Sequence, residues 1–99
     1  MAEKVVVYWR DIPAQVIVKA GRKTAKRQLA ERFEQAIDRA AMRAKLTGTD
    51  AYLEQWRRGE PVPCGDDLEA EATAAAAALE AEFTAERLRD LVANGGVAE

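Results

Sequence analysis

The chain has 99 residues, 48% of them apolar, and a formal net charge of −2, which fits one domain with a modest core and little room for a buried substrate cavity. It contains no histidine and a single cysteine, Cys64; within one copy this excludes Ser-His and Cys-His nucleophile pairs, His-dependent zinc or iron sites, a four-cysteine metal site and an internal disulfide. No apolar run approaches the roughly 18 residues of a membrane span, and Met1-Ala2-Glu3-Lys4 lacks the basic-then-apolar start of a secretory signal, so a cytoplasmic, reducing location is expected.

The first element is a β-hairpin. Lys4-Val5-Val6-Val7-Tyr8-Trp9 and Ala14-Gln15-Val16-Ile17-Val18-Lys19 are β-rich runs, and Arg10-Asp11-Ile12-Pro13 separates them because Asp favours turns and Pro13 fixes its own φ. Alternation sends Val5, Val7 and Trp9 to one side and Val6 and Tyr8 to the other. A two-stranded ribbon that is apolar on both faces is marginal alone, so a second copy or another protein is expected to cover or extend it. No other stretch reads as strand.

After the turn at Ala20-Gly21, apolar residues at Ala25, Leu29, Phe33, Ala36, Ile37, Ala40 and Ala44 recur at helical spacing and predict one long helix over Arg22 to Leu46, with Thr24 as its N-cap. Arg22, Lys23, Lys26 and Arg27 then crowd the positive end of the macrodipole, an arrangement that suits a bound anion, joined by Arg10 or Lys19. A solvated basic face, eased by Glu31 beside Arg27, explains the same pattern.

A short helix over Ala51 to Arg58, capped by Thr49 or Asp50, places Tyr52, Leu53 and Trp56 on one face, at a core margin or as interface anchors. Gly59-Glu60-Pro61-Val62-Pro63-Cys64-Gly65 reads as a stiff loop. Cys64 precedes a helix start, which favours a thiolate, but Asp66 and Asp67 oppose it. The last long helix starts there, with a stripe of Leu68, Ala72, Ala75, Leu79 and Phe83, recapped at Thr84 and ended by Asn94-Gly95-Gly96. Glu69, Glu71, Glu80, Glu82 and Glu86 read as a solvated face.

Charge is divided along the chain: thirteen Lys and Arg against seven Asp and Glu up to Arg58, and two against ten from Gly59 on. Either the acidic helix lies against the basic one or the two halves offer opposite partner surfaces. There is no internal repeat and no phosphate-cradling glycine loop, and the basic stretch lacks interleaved aromatics, so nucleic-acid binding is not favoured.

The run Val6-Val7-Tyr8-Trp9-Arg10-Asp11-Ile12-Pro13-Ala14-Gln15-Val16, followed by Lys26 to Phe33 and Asp50 to Trp56, resembles the small bacterial "virulence factor" domain family over about Lys4 to Glu86. Tyr-Trp-Arg-Asp-Ile-Pro is its best mark. The resemblance implies a companion of corrinoid- and folate-dependent one-carbon enzymes, or a domain accompanying an iron–sulfur scaffold-like domain and helical repeats in larger proteins. It transfers no active-site residue.

The expected fold is α+β: an N-terminal hairpin packed on a long helix, then a short helix and a long C-terminal helix, in one domain over residues 1–94 with a flexible tail over 95–99. The expected function is a non-catalytic accessory or adaptor protein that needs no cofactor or metal. It would bind another protein, such as a one-carbon enzyme, or a second copy through the hairpin, with Tyr8, Trp9, Arg10, Asp11, Pro13 and Trp56 in contact. The alternative is a small anion- or nucleotide-binding regulator using Arg10, Arg22, Lys23, Lys26 and Arg27. Asp11, Arg10 and Tyr8 could also supply acid–base groups to a small enzyme, although the same residues suit a turn with an ion pair.

Overall fold

The hairpin forms where β-branched residues concentrate. In a computed structural model describing residues 2–46, 48 and 50–97, strand β1 (Ala2–Trp9) pairs antiparallel with β2 (Ile12–Ala20), Val5 against Ile17 and Val6 against Val16. Val7 faces Gln15 but Tyr8 faces Pro13, so Ala14 is an extra residue in a bulge that bends the ribbon near its tip. The fold is α+β, as expected.

The first correction is at residues 23–28. Lys23–Gln28 is strand β3, paired antiparallel with β2, and the helix that follows, α1, spans only Glu31–Arg43. Lys, Arg, Ala and Gln are good helix formers, yet only Ala25 of this stretch is buried, and packing in the sheet overrides propensity. Helix α1 starts where charge favours it, with Glu31 and Glu34 in the first turn. Its N-cap, Ala30, has no capping side chain of its own; the Ala30 N–H donates to Glu80 Oε2 at 2.9 Å. Glu80 is therefore a structural partner and not part of a solvated face.

The second correction concerns residues 50–65. Helix α2 covers only Asp50–Glu54, and Trp56–Arg58 is strand β4, paired with the tip half of β1. The expected loop contains a further strand, β5 (Val62–Cys64), paired with the Ala2–Lys4 half of β1. Gly59 bridges the two by donating its N–H to the Val6 carbonyl at 2.8 Å. Edge strands tolerate prolines, which carry no donor, and Pro63 pairs here with Glu3. Sheet order is β3-β2-β1-β4, with β5 also on β1. The chain itself thus pairs along both sides of the hairpin, with β3 on β2 and with β4 and β5 on β1.

Two further helices close the core. Asp67 caps α3 (Leu68–Glu82) and Thr84 caps α4 (Ala85–Ala93), each side chain accepting a backbone N–H. On α3, Ala72 and Ala76 are buried, with Leu68, Ala75 and Leu79 packed beside them, so small side chains bring the helix close to β2 and β3. Trp9, Ile12, Val16, Val18, Phe33, Ile37, Phe83, Leu88 and Leu91 belong to the same cluster. Val5 and Ile17 face the other side of the sheet, ringed in the register by Glu3, Lys19, Lys26 and Gln15, and they too are buried.

Residue 95, where the flexible tail was expected to begin, is held in place. Gly95 and Gly96 are buried, with φ of 71° and 95°, and Gly96 donates its N–H to the Leu91 carbonyl at 2.7 Å to end α4. Ala98 and Glu99 lie outside the described residues, as does the expected cap Thr49. A Cβ at Gly96 would sit 2.8 Å from Trp9 Cζ3. Gly96→Ala is therefore expected to destabilise the fold by about 2–4 kcal/mol, from left-handed strain plus overpacking, measured as a lowered denaturant midpoint.

Candidate functional site

Positive φ is unusual outside glycine, and Arg10 adopts it at the hairpin tip, with φ 53°. Four hydrogen bonds hold it there. Its N–H donates to the Gln55 carbonyl at 3.1 Å, its Nε to Gln55 Oε1 at 3.1 Å and its Nη1 to the Gly95 carbonyl at 3.0 Å, while its own carbonyl accepts from Arg57 Nε at 3.0 Å. The Asp11 N–H donates to the Gly96 carbonyl at 2.9 Å, and its carboxylate pairs with Arg57 at 3.2 Å. The tip of the ribbon is thus a joint between the hairpin, the α2–β4 segment and the end of α4.

Trp9 and Pro13 are fully buried, which withdraws both from any external contact surface. The Trp9 indole N–H donates to the Tyr52 carbonyl at 3.0 Å. Tyr8 is half-buried under the Arg57 guanidinium, 4.6 Å from the ring centroid. Trp56 is 37% exposed. Of the six expected contact residues, Tyr8, Trp9, Arg10, Asp11 and Pro13 form or adjoin the joint, and Trp56 opens onto a cleft beside it.

The five expected anion ligands do not converge. Arg22 lies in the β2–β3 turn and Lys23, Lys26 and Arg27 on β3, so no helix N-terminus stands behind them. Strand alternation puts Lys23 and Arg27 on one face and Lys26 on the other. Arg22 and Lys23 lie a whole β2 length from Arg10, nine residues or roughly 25–30 Å at strand rise, while Lys26 and Arg27 sit beside Ile17 and Val16 in the middle of that strand.

The cleft lies between α1 and α2. Ala14, Leu29 and Ile37 supply its apolar lining, Tyr52 and Trp56 its aromatic wall, and Glu34, Asp38 and Gln28 its polar rim, around a volume of about 330 Å³. Tyr52 is held between two rings, 5.6 Å from Trp9 and edge-on to Trp56 at 6.3 Å. Burial raises the Tyr52 phenol above its usual range, and the Asp38 carboxylate adds to this; a hydrogen bond from the Trp56 side chain opposes the shift, and Glu34 reinforces it. Glu34 and Asp38 are one helical turn apart, a like-charge spacing that costs a helix a few tenths of a kcal/mol. Neither has an ion-pair partner among the described residues. Exposed Met42 lines an adjoining pocket with Asp38 and Tyr52. The exposed i,i+4 acid pair on a helix stripe was visible in the sequence; its position opposite Trp56 depended on α2 and β4.

Cys64 is half-buried in β5, and burial raises its thiol pKa, with Glu71 adding to the shift and Lys4 opposing it. The expected opposition of nearby acids to a thiolate therefore comes first from Glu71 and then from Asp66. Among the described residues no group of three or more His, Cys, Asp or Glu side chains is placed to hold a metal ion, and no helix is long and apolar enough to cross a membrane.

A family model described as "virulence factor" matches residues 7–92, most of the chain, and the protein belongs to that family. Comparison with curated proteins and with solved structures found no match.

Two outcomes follow from this geometry. Asp38→Asn removes a negative charge beside the phenol, so Tyr52 should ionise at lower pH than in the unaltered protein, as read by ultraviolet titration at tyrosinate wavelengths; an unmoved titration would show that Asp38 does not act on the ring. Arg10→Lys keeps the charge but loses the planar fork that reaches Gln55 and Gly95, and should cost about 1–3 kcal/mol of stability in denaturant unfolding.

Proposed function

We propose that this member of the virulence factor family is a non-catalytic accessory protein that binds another protein, taking a basic side chain of that partner into the cleft between α1 and α2. One observation carries this reading: Trp56, a large aromatic side chain exposed by 37%, walls a cleft that also presents two carboxylates without an ion-pair partner among the described residues, and Met42, exposed by 60%, lines an adjoining pocket with Asp38 and Tyr52. Exposed bulky side chains mark interaction surfaces when they cluster. Carboxylates beside the faces of Tyr52 and Trp56 suit a guanidinium or ammonium, which gains both ion pairing and cation–π attraction.

Trp56, expected as an aromatic anchor, keeps that role here, and the hairpin tip supports the cleft without entering the contact. A corrinoid- or folate-dependent one-carbon enzyme, the partner class implied by the family resemblance, is the first to test. The alternative of an anion- or nucleotide-binding regulator is less well supported, because its cations sit on two faces of a strand and away from a helix start.

Affinity capture on the immobilised protein and on its Trp56→Ala and Asp38→Asn variants tests the proposal. A partner held by the unaltered protein should bind Trp56→Ala about 30-fold or more weakly, as expected of a central aromatic anchor, while both variants keep their melting temperature. Equal retention of every captured protein by all three would overturn it.

A further inference from the structure

The two edges of the sheet are protected in different ways. On the β1 side the edge consists of two three-residue strands interrupted at Gly59-Glu60-Pro61, and Pro61 and Pro63 remove donors from it. On the other side β3 is six residues long, and no strand pairs beyond it among the described residues. Gly21, with φ 62°, leads the two-residue turn that joins β2 to β3, and Ala20 pairs with Lys23 across that turn. Glycine at the first central position fits a type II′ hairpin turn, whose flanking pair is hydrogen-bonded. Alternation from that pair aims the backbone N–H and C=O groups of Thr24, Lys26 and Gln28 away from β2, repeating at about 6.8 Å.

Cations surround this edge on both faces. Lys23 and Arg27 share one face, Lys19 and Lys26 the other, and Arg22 stands at the turn. None of the five has an ion pair or other polar partner among the described residues. The acidic helix α3 packs across β2 and β3, yet it forms no ion pair with them among the described residues.

We propose that the free edge of β3 docks an acidic, extended segment of another polypeptide, which joins the sheet as a further strand. Such a segment satisfies the outward backbone groups, and carboxylates on both of its faces meet cations on both faces of β3. A second copy of this chain fits poorly, since β3 against β3 sets lysines and arginines opposite one another. A nucleic-acid backbone fits poorly as well, because the cations are divided between two faces and phosphates do not use paired N–H and C=O groups. The docking edge meets the cleft only at Gln28 and does not depend on it.

The test uses the full chain and a Glu-Val peptide of repeating Glu-Glu-Val-Val, which sets carboxylates on both faces of an added strand and is long enough to span β3, with a Lys-Val peptide of repeating Lys-Lys-Val-Val and a single-stranded oligothymidylate as comparators, at low salt. The Glu-Val peptide should bind and should protect the Thr24, Lys26 and Gln28 amides from hydrogen exchange. Its affinity should fall as salt rises and drop at least about tenfold when Lys26→Glu and Arg27→Glu are combined. Should that variant not fold, combined Lys26→Ala and Arg27→Ala should still weaken binding measurably. The proposal is overturned by absence of Glu-Val binding at low salt, by equal binding of the Lys-Val peptide, by protection of these amides with oligothymidylate in place of peptide, or by a dimer of the chain alone that protects them.

Discussion

Burial of Trp9 is the constraint on which the rest of this structure depends. A tryptophan at the end of a strand next to a turn would normally lie near solvent, and hiding it requires cover from elsewhere in the chain. That cover comes from Tyr52 of α2 and Gly96 after α4, with Ala40 of α1 in the same buried cluster, three segments far apart in sequence. A buried aromatic of this size contributes on the order of 3–5 kcal/mol relative to Ala, enough to offset the left-handed backbone at Arg10 and the ordering of the α4 terminus. Gly96 is glycine for a specific reason: its φ is positive and the Trp9 ring occupies the space of a side chain.

The run Tyr8-Trp9-Arg10-Asp11-Ile12-Pro13, on which the resemblance rests, is therefore architectural in this chain. Trp9, Ile12 and Pro13 belong to the interior, and Arg10 and Asp11 bind the chain's own carbonyl groups, Gln55 and Arg57. The joint also shapes the neighbouring cleft. The Trp9 indole holds the Tyr52 carbonyl, which fixes the Tyr52 ring against Trp56, and the Arg10 bonds to Gln55 fix the backbone just before Trp56. A binding surface built on such a joint is pre-organised, which lowers the entropy lost when a partner arrives.

Much of the fold was legible wherever local chemistry and tertiary packing agree. The Val-rich runs, the Asp67 and Thr84 caps, the alanine stripe of α3 and the glycine end of α4 follow from propensity and periodicity. The misread stretches are those where packing overrides propensity. Lys23–Gln28 has a helical composition but needs only Ala25 to face the core, and the two prolines of residues 59–65 conceal a strand because an edge position needs fewer donors. The helix start was nevertheless available from charge, since Glu31 and Glu34 suit the positive end of the macrodipole and the cations before them do not. Trp56 was legible as an aromatic at a core margin or as an interface anchor, and it is 37% exposed. The i,i+4 spacing of Glu34 and Asp38 is open to view in the sequence, but their proximity to Trp56 is not, because it depends on how α1 packs beside the α2–β4 segment.

The misreading of β3 has a physical cause. An edge strand must discourage self-pairing, and lysine and arginine do so while their long stems cover neighbouring apolar groups. These same residues rank among the better helix formers, so a lysine-guarded edge strand imitates a helix in composition, and only the turn glycine before it and the alternation around Ala25 reveal it. The charge division of the sequence acquires a spatial meaning from this. Basic residues are concentrated on the open edge of the sheet, while acidic α3 lies across one face of β2 and β3 without pairing with them among the described residues. Solvent screens what attraction remains between exposed charges at that separation, so the cations of β3 stay available to a more closely fitting negative surface.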